Sequence, residues 1–185
     1  MSRGKLVILS GPSGVGKDTV LNAWSAFNPR VQRVVAVTTR PRRSVEVDGI
    51  DYHFRTKEEF EQLIAEGAFL EHKEVFGNYY GTPLKQLEHM LEEGKIAVLK
   101  IDVQGALTAI DLRPDATTIF IMPPSMEELD RRIRARATES HEDIERRLAV
   151  AHQEISTSSR YRHRVINDDV ETVVQQLEDI VRSGI

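Results

Sequence analysis

The chain of 185 residues contains no cysteine, which excludes disulfides, thiol catalysis and cysteine-based zinc sites and fits a reducing cytosol. It has no surplus of positive charge either. Its 25 Lys and Arg face 29 Asp and Glu, for a net charge of −4. No overall basic field therefore draws nucleic acid, and basic residues have to be read locally. No apolar run approaches the roughly 20 residues that cross a bilayer. The N-terminal apolar stretch is too short for a secretory signal and runs straight into a glycine-rich loop. Internal repeats, low-complexity tracts and long linkers are missing as well. These absences predict a cytoplasmic protein with neither a membrane nor a nucleic acid as partner. What is present is ordinary for a globular chain, with 40% hydrophobic and 29% charged residues. The length suits one α/β domain with small insertions.

The most informative segment is residues 11–18, Gly-Pro-Ser-Gly-Val-Gly-Lys-Asp. It follows the apolar run Leu6-Val7-Ile8-Leu9 and precedes a helical pattern over residues 19–27. Gly11, Gly16 and Lys17 satisfy the first three fixed positions of the phosphate-binding loop, in the strand–loop–helix setting that the motif requires. The glycines let backbone N–H groups converge on phosphate oxygens, the helix N-terminus adds partial positive charge, and Lys17 reaches the outer phosphates. The fourth position breaks the pattern: Asp18 stands where a Ser or Thr hydroxyl usually binds magnesium.

Buried strands are predicted over residues 34–37, 96–101 and 117–122, with a shorter one over 164–166. Ser125-Met126-Glu127-Glu128 reads as a capping box behind Pro123-Pro124, opening a helix with Glu127/Arg131 and Glu128/Arg132 at favourable spacing. Residues 140–143 repeat the cap pattern. The last helix places Val170, Val173, Val174, Leu177, Ile180 and Val181 on one face behind Asp168 or Asp169. Strands alternating with helices imply a parallel sheet covered on both sides. Residues 38–94 interrupt that alternation. They hold a basic loop at 40–43, a strand-like piece at 52–54, a helix opened by Thr56 and a strand-like run at 69–76. Thr82 is then expected to cap a helix with Pro83 at its first position, ending near Gly94. This is a small α+β insertion in the core.

Chemistry-bearing residues cluster in and just after the insertion. Thr38-Thr39-Arg40-Pro41-Arg42-Arg43 concentrates guanidinium groups whose forked donors match phosphate. Glu46-Val47-Asp48-Gly49-Ile50-Asp51-Tyr52-His53-Phe54 follows, then Glu71, Gly77-Asn78-Tyr79-Tyr80-Gly81-Thr82 and Ile101-Asp102-Val103-Gln104-Gly105-Ala106. In this order and spacing the set closely resembles guanylate kinase, from the loop at Gly11 to Ile166-Asn167-Asp168-Asp169. The resemblance implies an α/β fold in which a P-loop NTPase core carries a GMP-binding insertion and a helical lid. The core would be residues 1–37, 95–133 and 159–185, the insertion 38–94 and the lid 134–158. It also implies transfer of the ATP γ-phosphoryl group to GMP with Mg2+, giving ADP and GDP, in a monomer or homodimer.

Carried over residue by residue, the resemblance makes Gly11, Pro12, Ser13, Gly14, Val15, Gly16, Lys17, Asp18 and Thr19 the ATP-binding segment, joined by Arg136 and Arg147 from the lid. Arg40, Arg43, Tyr52 and Tyr80 would hold the GMP phosphate, while Glu71, Thr82 and Asp102 would read guanine. Lys17, Arg40, Arg136 and Arg147 are the expected catalytic residues. The attacking group is a phosphate oxygen, already anionic, so alignment and charge neutralisation matter more than a general base. Guanine offers N1–H and N2–H₂ donors to a carboxylate; adenine lacks the N1–H and would leave it unpaired. Arg134 and Arg146 lie in the expected lid, Arg131 and Arg132 read as a solvated helix face, and Tyr79 reads as packing. Ala137 stands where the family usually has glycine after the lid arginine.

Three positions depart from the resemblance. Asp18 replaces the magnesium-binding hydroxyl, Lys100 replaces an acid usually found two residues before Asp102, and Ala36 replaces a serine facing the GMP phosphate. Asp18 and Lys100 are expected to form a salt bridge, with Asp18 still able to offer an oxygen to magnesium. Thr38 is the candidate to compensate for Ala36. Two other readings share parts of the pattern: a ribose 1,5-bisphosphate phosphokinase of the same fold, which can carry Gly-Lys-Asp, and a non-catalytic guanylate-kinase-like binding module. Glu71, the Asn-Tyr-Tyr-Gly-Thr run and the arginine loop favour GMP over the first. The intact Gly11, Gly16 and Lys17 weigh against the second.

Overall fold

Alternation along Leu6, Val7, Ile8 and Leu9 sets the centre of the fold. All four are buried, Val7 and Leu9 in one apolar cluster and Leu6 and Ile8 in another, because successive strand side chains point to opposite faces. The computed structural model describes residues 3–75, 77–136 (the Arg136 side chain excepted) and 140–183.

In chain order the first elements are β1 (Lys5–Ser10), α1 (Lys17–Phe27), β2 (Val31–Arg33), β3 (Val37–Thr38) and β4 (His53–Phe54). There follow α2 (Lys57–Ala65), β5 (Phe69–Val75), β6 (Asn78–Pro83), α3 (Leu84–Glu92), β7 (Ile96–Lys100) and α4 (Val103–Leu112). The last are β8 (Thr117–Met122), α5 (Met126–Arg136), α6 (His141–Ser156), β9 (His163–Ile166) and α7 (Val170–Ser183).

The order β2-β7-β1-β8-β9 makes a five-stranded sheet in which every pairing is parallel. Such a sheet must be covered on both faces. Trp24 of α1, Leu129 of α5, Ile144 of α6 and Leu177 of α7 pack on one face, Leu87 of α3 and Ala106 of α4 on the other. Beneath α1, the Trp24 indole N–H donates to Glu178 at 2.6 Å and the Asn28 amide to the same carboxylate oxygen at 2.8 Å. A second sheet, β4-β3-β6-β5, is mixed: β3 and β4 run parallel, and β6 is antiparallel to both β3 and β5.

The expected strand over residues 34–37 is a junction instead. Val34 and Val37 are buried, but β2 ends at Arg33 and β3 begins at Val37. The Val34 N–H still bonds to the Val98 carbonyl, while the Ala36 carbonyl accepts from His53 in the other sheet. One apolar run therefore serves two sheets. Thr82 does not cap α3. It lies inside β6, Pro83 takes the cap position outside the helix, and the Thr82 hydroxyl is used across the sheet. At α5 the capping box is half formed. The Ser125 hydroxyl accepts from the Glu128 N–H, but the Glu128 carboxylate takes both Arg131 and Arg132 at 2.7 Å. The expected Glu127/Arg131 pair gives way to this fork. Ser140 and Asp169 cap α6 and α7 as their sequences predict. Among the described residues no helix is long and apolar enough to cross a membrane. Phe76 and Ala137 lie outside the described residues.

Candidate active site

The loop after β1 closes tightly because its glycines allow backbone that side chains would block. Gly11 has φ +147°, and a Cβ there would sit 2.4 Å from the Ile121 carbonyl; Gly16 has φ +100°, and a Cβ would sit 2.6 Å from the Asn167 amide. Gly16 caps α1 with no side-chain hydrogen bond, which leaves first-turn N–H groups for a ligand. Asn167, buried, fixes the loop from behind by donating to the Val15 carbonyl at 2.8 Å. Arg132 donates to the Asn167 carbonyl at 3.1 Å and reaches Val15 at 3.4 Å. It is thus a brace of the loop, not the merely solvated residue its helix position predicts.

The Lys17 ammonium donates to the Gly11 and Pro12 carbonyls, at 2.5 and 3.0 Å. Burial pushes its pKa down to about 8, helped by Lys100 and opposed by Glu154 and Asp18. Lys100, at the end of β7, donates to Asp18 Oδ1, so the expected ion pair is present. Burial opposes the Asp18 charge, but Lys100, Arg33 and Lys17 together hold its carboxyl below the usual range. The Lys100 side chain is 14% exposed and that of Asp18 70%.

Beyond Ala36 lies the other end of the same cleft, of about 390 Å³, which is lined by the loop and by Tyr52, Glu71, Lys73, Tyr80, Thr82 and Asp102. Arg40 makes a forked ion pair with Glu46, at 2.7 and 3.1 Å, and lies 5.5 Å from the Tyr52 ring centroid. Tyr52 meets Tyr80 edge to face at 6.1 Å. Arg43 is exposed and gives its backbone N–H to Glu46. Glu71 is 6% exposed and accepts the Thr82 hydroxyl at 2.6 Å. Burial pushes its carboxyl up, against the pull of Thr82 and Lys73. Asp102 caps α4, accepting from Gly105 at 2.9 Å, and pairs with Lys73.

The structure therefore gathers the residues expected at the acceptor end, except that the Arg43 side chain stays at the surface. Thr38 is not free to replace a hydroxyl at Ala36: it donates to the Tyr79 carbonyl at 2.9 Å. Tyr79 packs on Phe60, centroids 5.2 Å apart, as expected. From α6, Arg147 donates to the Ser13 hydroxyl at 2.9 Å. Arg134 is tied to Asp130 and Glu145, and Arg146 to Glu142 and Asp143, which removes both from the cleft. The side chain of Arg136 lies outside the described residues.

Three participants carry no expected role, Glu46, Lys73 and Glu154, and Arg132 is expected only as a solvated residue. Glu46 sits within the quoted acceptor motif, and Lys73 shares a strand face with Glu71, so position alone pointed to both. Glu154 faces Lys17 and lines the cleft from α6, yet its surroundings in sequence read as a solvated helix.

Comparison with known proteins adds the decisive observation. A family profile for guanylate kinase matches residues 3–184. The chain belongs to the guanylate kinase family. It is 49% identical over 180 residues to a guanylate kinase of Clostridium perfringens (strain SM101 / Type A), covering 97% of this chain and 83% of that protein. It is 47% identical over 182 residues to one of Enterococcus faecalis (strain ATCC 700802 / V583), covering 98% and 89%. The crystal structure of guanylate kinase from Anaplasma phagocytophilum superposes with a TM-score of 0.79 at 39% identity, covering 98% of this chain and 86% of that one. Neither the ribose-bisphosphate kinase nor the binding-module reading is favoured by these guanylate kinase relatives.

Among the described residues no three His, Asp or Glu side chains converge on a possible metal position. Magnesium commonly keeps several waters and is held by one or two carboxylates plus substrate phosphates. Asp18 fits that need: an exposed, ionised carboxylate at the loop with only one oxygen engaged by Lys100.

Proposed function

We propose that this chain phosphorylates GMP at the expense of ATP in the cleft between the loop after β1 and the second sheet. The observation that carries this reading is one continuous cleft lined by Lys17 and the loop at one end and by Glu71, Thr82 and Asp102 at the other. Residues 11–19 cradle the ATP phosphates through backbone N–H groups and Lys17, and Arg147 and Arg136 approach them from the lid, residues 134–158. The insertion, residues 38–94, supplies the acceptor side. Arg40 exchanges Glu46 for the GMP phosphate, with Tyr52 and Tyr80 beside it and Arg43 turning in from the surface. Glu71 and Asp102 accept the guanine N–H donors while Thr82 fixes the Glu71 carboxylate.

The acceptor phosphate oxygen is anionic and needs no base; these residues align it and offset the charge of two nucleotides. Asp18 would hold magnesium, directly or through water, and the bound ion would supply positive charge against the substrate phosphates. The substrates are soluble nucleotides, consistent with a cytoplasmic monomer or homodimer. The test is ADP formation from ATP and magnesium with GMP, AMP or ribose 1,5-bisphosphate offered separately. Turnover with GMP alone is the expected result. Turnover with ribose 1,5-bisphosphate, or GMP binding with no transfer, overturns the assignment.

A further inference from the structure

Strand β5 turns Glu71, Lys73 and Val75 toward the cleft and leaves His72 and Glu74 exposed. The Lys73 ammonium is shut off from solvent and lies in ion-pair contact with Asp102 Oδ1. Gly105, in the first turn of α4, shows how closely the charges gather. A Cβ placed there would lie 3.1 Å from Glu71 Oε2, 3.3 Å from Lys73 Nζ and 3.6 Å from Asp102 Oδ1. Two carboxylates and one ammonium thus surround a single point of backbone, and a methyl group there would push their charged ends apart by a few tenths of an ångström.

We infer that Lys73 is a specificity-determining residue of the acceptor site, holding Glu71 and Asp102 as two ionised acceptors for a purine with N–H groups at N1 and N2. This deepens the proposed function and rests on it. Two carboxylates that share one ammonium lose their common counter-charge when it is removed, and the more buried of them, Glu71, is then favoured to take up a proton. A protonated carboxyl donates where an ionised one only accepts. It would then lose its match to guanine N1–H and gain one to adenine, whose N1 is an acceptor. Lys73 removes that option by neutralising one charge of the pair. The charged groups facing it are Glu71 on its own strand, Asp102 at the start of α4 and Glu154 on α6. Glu71 faces Thr82 on β6 as well as Lys73. Burial raises the Glu71 pKa, and Lys73 is one of the groups resisting that rise.

The experiment compares wild type with Lys73→Met, Lys73→Gln and Lys73→Arg in the full chain. It measures kcat/KM for GMP and for AMP from pH 5.5 to 8.5, and GMP affinity by calorimetry without ATP. Lys73→Met should move the acid limb of the GMP profile up by about one pH unit, so that the GMP KM rises by up to about tenfold at the acid end of the range and little at the alkaline end. The GMP-to-AMP preference should fall with it, the ATP KM should hold within about twofold, and Lys73→Arg should restore most of the loss. Lys73→Gln, which keeps a polar end without the charge, gives the same readout if the methionine variant does not fold. An unchanged GMP-to-AMP ratio and acid limb overturn the inference, even with a lowered melting temperature, because packing alone moves only the latter. A wild-type enzyme that fails to prefer GMP overturns the underlying reading of the site instead; a selective wild type with an indifferent Lys73→Met overturns Lys73 alone.

Discussion

Removing either member of the Asp18–Lys100 pair should damage ATP use, and removing both should damage it far less than the two losses combined. Lys100→Met leaves the Asp18 carboxylate uncompensated beside an incoming triphosphate. Asp18→Ser restores a hydroxyl but removes the direct partner of mostly buried Lys100, leaving Arg33 and Lys17 as like-charged neighbours and Asp51 as a weaker counter-charge. The exposures, 14% for Lys100 and 70% for Asp18, place the pair between two regimes. Fully exposed pairs couple by about 0.2–1 kcal/mol, whereas breaking a buried one costs about 3–5 kcal/mol. A coupling of about 1–2 kcal/mol follows, equivalent to roughly 5–30-fold in kcat/KM for ATP. The assay is coupled ADP release with GMP saturating, on the wild type, both single variants and the double variant. Logarithmic effects that add to within about 0.5 kcal/mol would refute the reasoning, because independent sites behave that way. The coupling should also shrink in strong salt, since Asp18 is mostly exposed.

Thr82→Val removes the hydroxyl that donates to buried Glu71 at 2.6 Å. A charge-assisted bond of this kind contributes about 1.5–3 kcal/mol, so the GMP KM should rise at least tenfold while the ATP KM stays near wild type in steady-state assays. Trp24→Phe leaves Glu178, 7% exposed, with the Asn28 amide as its remaining hydrogen-bond donor from α1 and its end. The loss of about 1–3 kcal/mol should lower the melting temperature by roughly 2–12 °C in calorimetry, with activity at 25 °C unchanged. Lys17, whose pKa burial lowers to about 8, should be held protonated by a bound triphosphate. ATP binding should therefore take up protons between pH 8 and 9 and weaken as pH rises through 8. Calorimetry in buffers of different ionisation enthalpy reads the uptake directly, and no buffer dependence would contradict the proposed contact.

What could be read from the sequence was whatever local pattern and motif spacing determine. β1, β7 and β8 are short apolar runs buried on both faces, and a parallel, covered sheet follows from strand–helix alternation; the order β2-β7-β1-β8-β9 is visible only in the structure. The loop at Gly11 is legible because its chemistry is carried by consecutive residues. Asp18 and Lys100 lie 82 residues apart, and only the paired departures from a known pattern joined them. The misreadings share one cause, tertiary demand overriding a local signal. Thr82-Pro83 has the form of a helix start, but Glu71 across the sheet claims the hydroxyl. Residues 34–37 have the composition of one strand, but two sheets divide them. Arg132 has the spacing of a solvated helix arginine, but the Asn167 carbonyl behind the loop claims its guanidinium. The Lys73–Asp102 contact joins a strand of the second sheet to a helix after the first, and no local pattern encodes such a meeting.

The chain leaves the parallel sheet after β2 and re-enters it at β7, and these strands are partners, Val31 lying opposite Ile96. Both attachments of the second sheet thus spring from one edge of the first. The second sheet is also packed against α3 and α4, so it is seated as well as tethered. Glu71, Thr82 and Arg40 belong to this outer part, whereas Asp102, Lys100 and the loop at Gly11 belong to the inner one. A base gripped by Glu71 and Asp102 would be clasped by both parts at once. The Lys73–Asp102 contact is the stitch that already joins them.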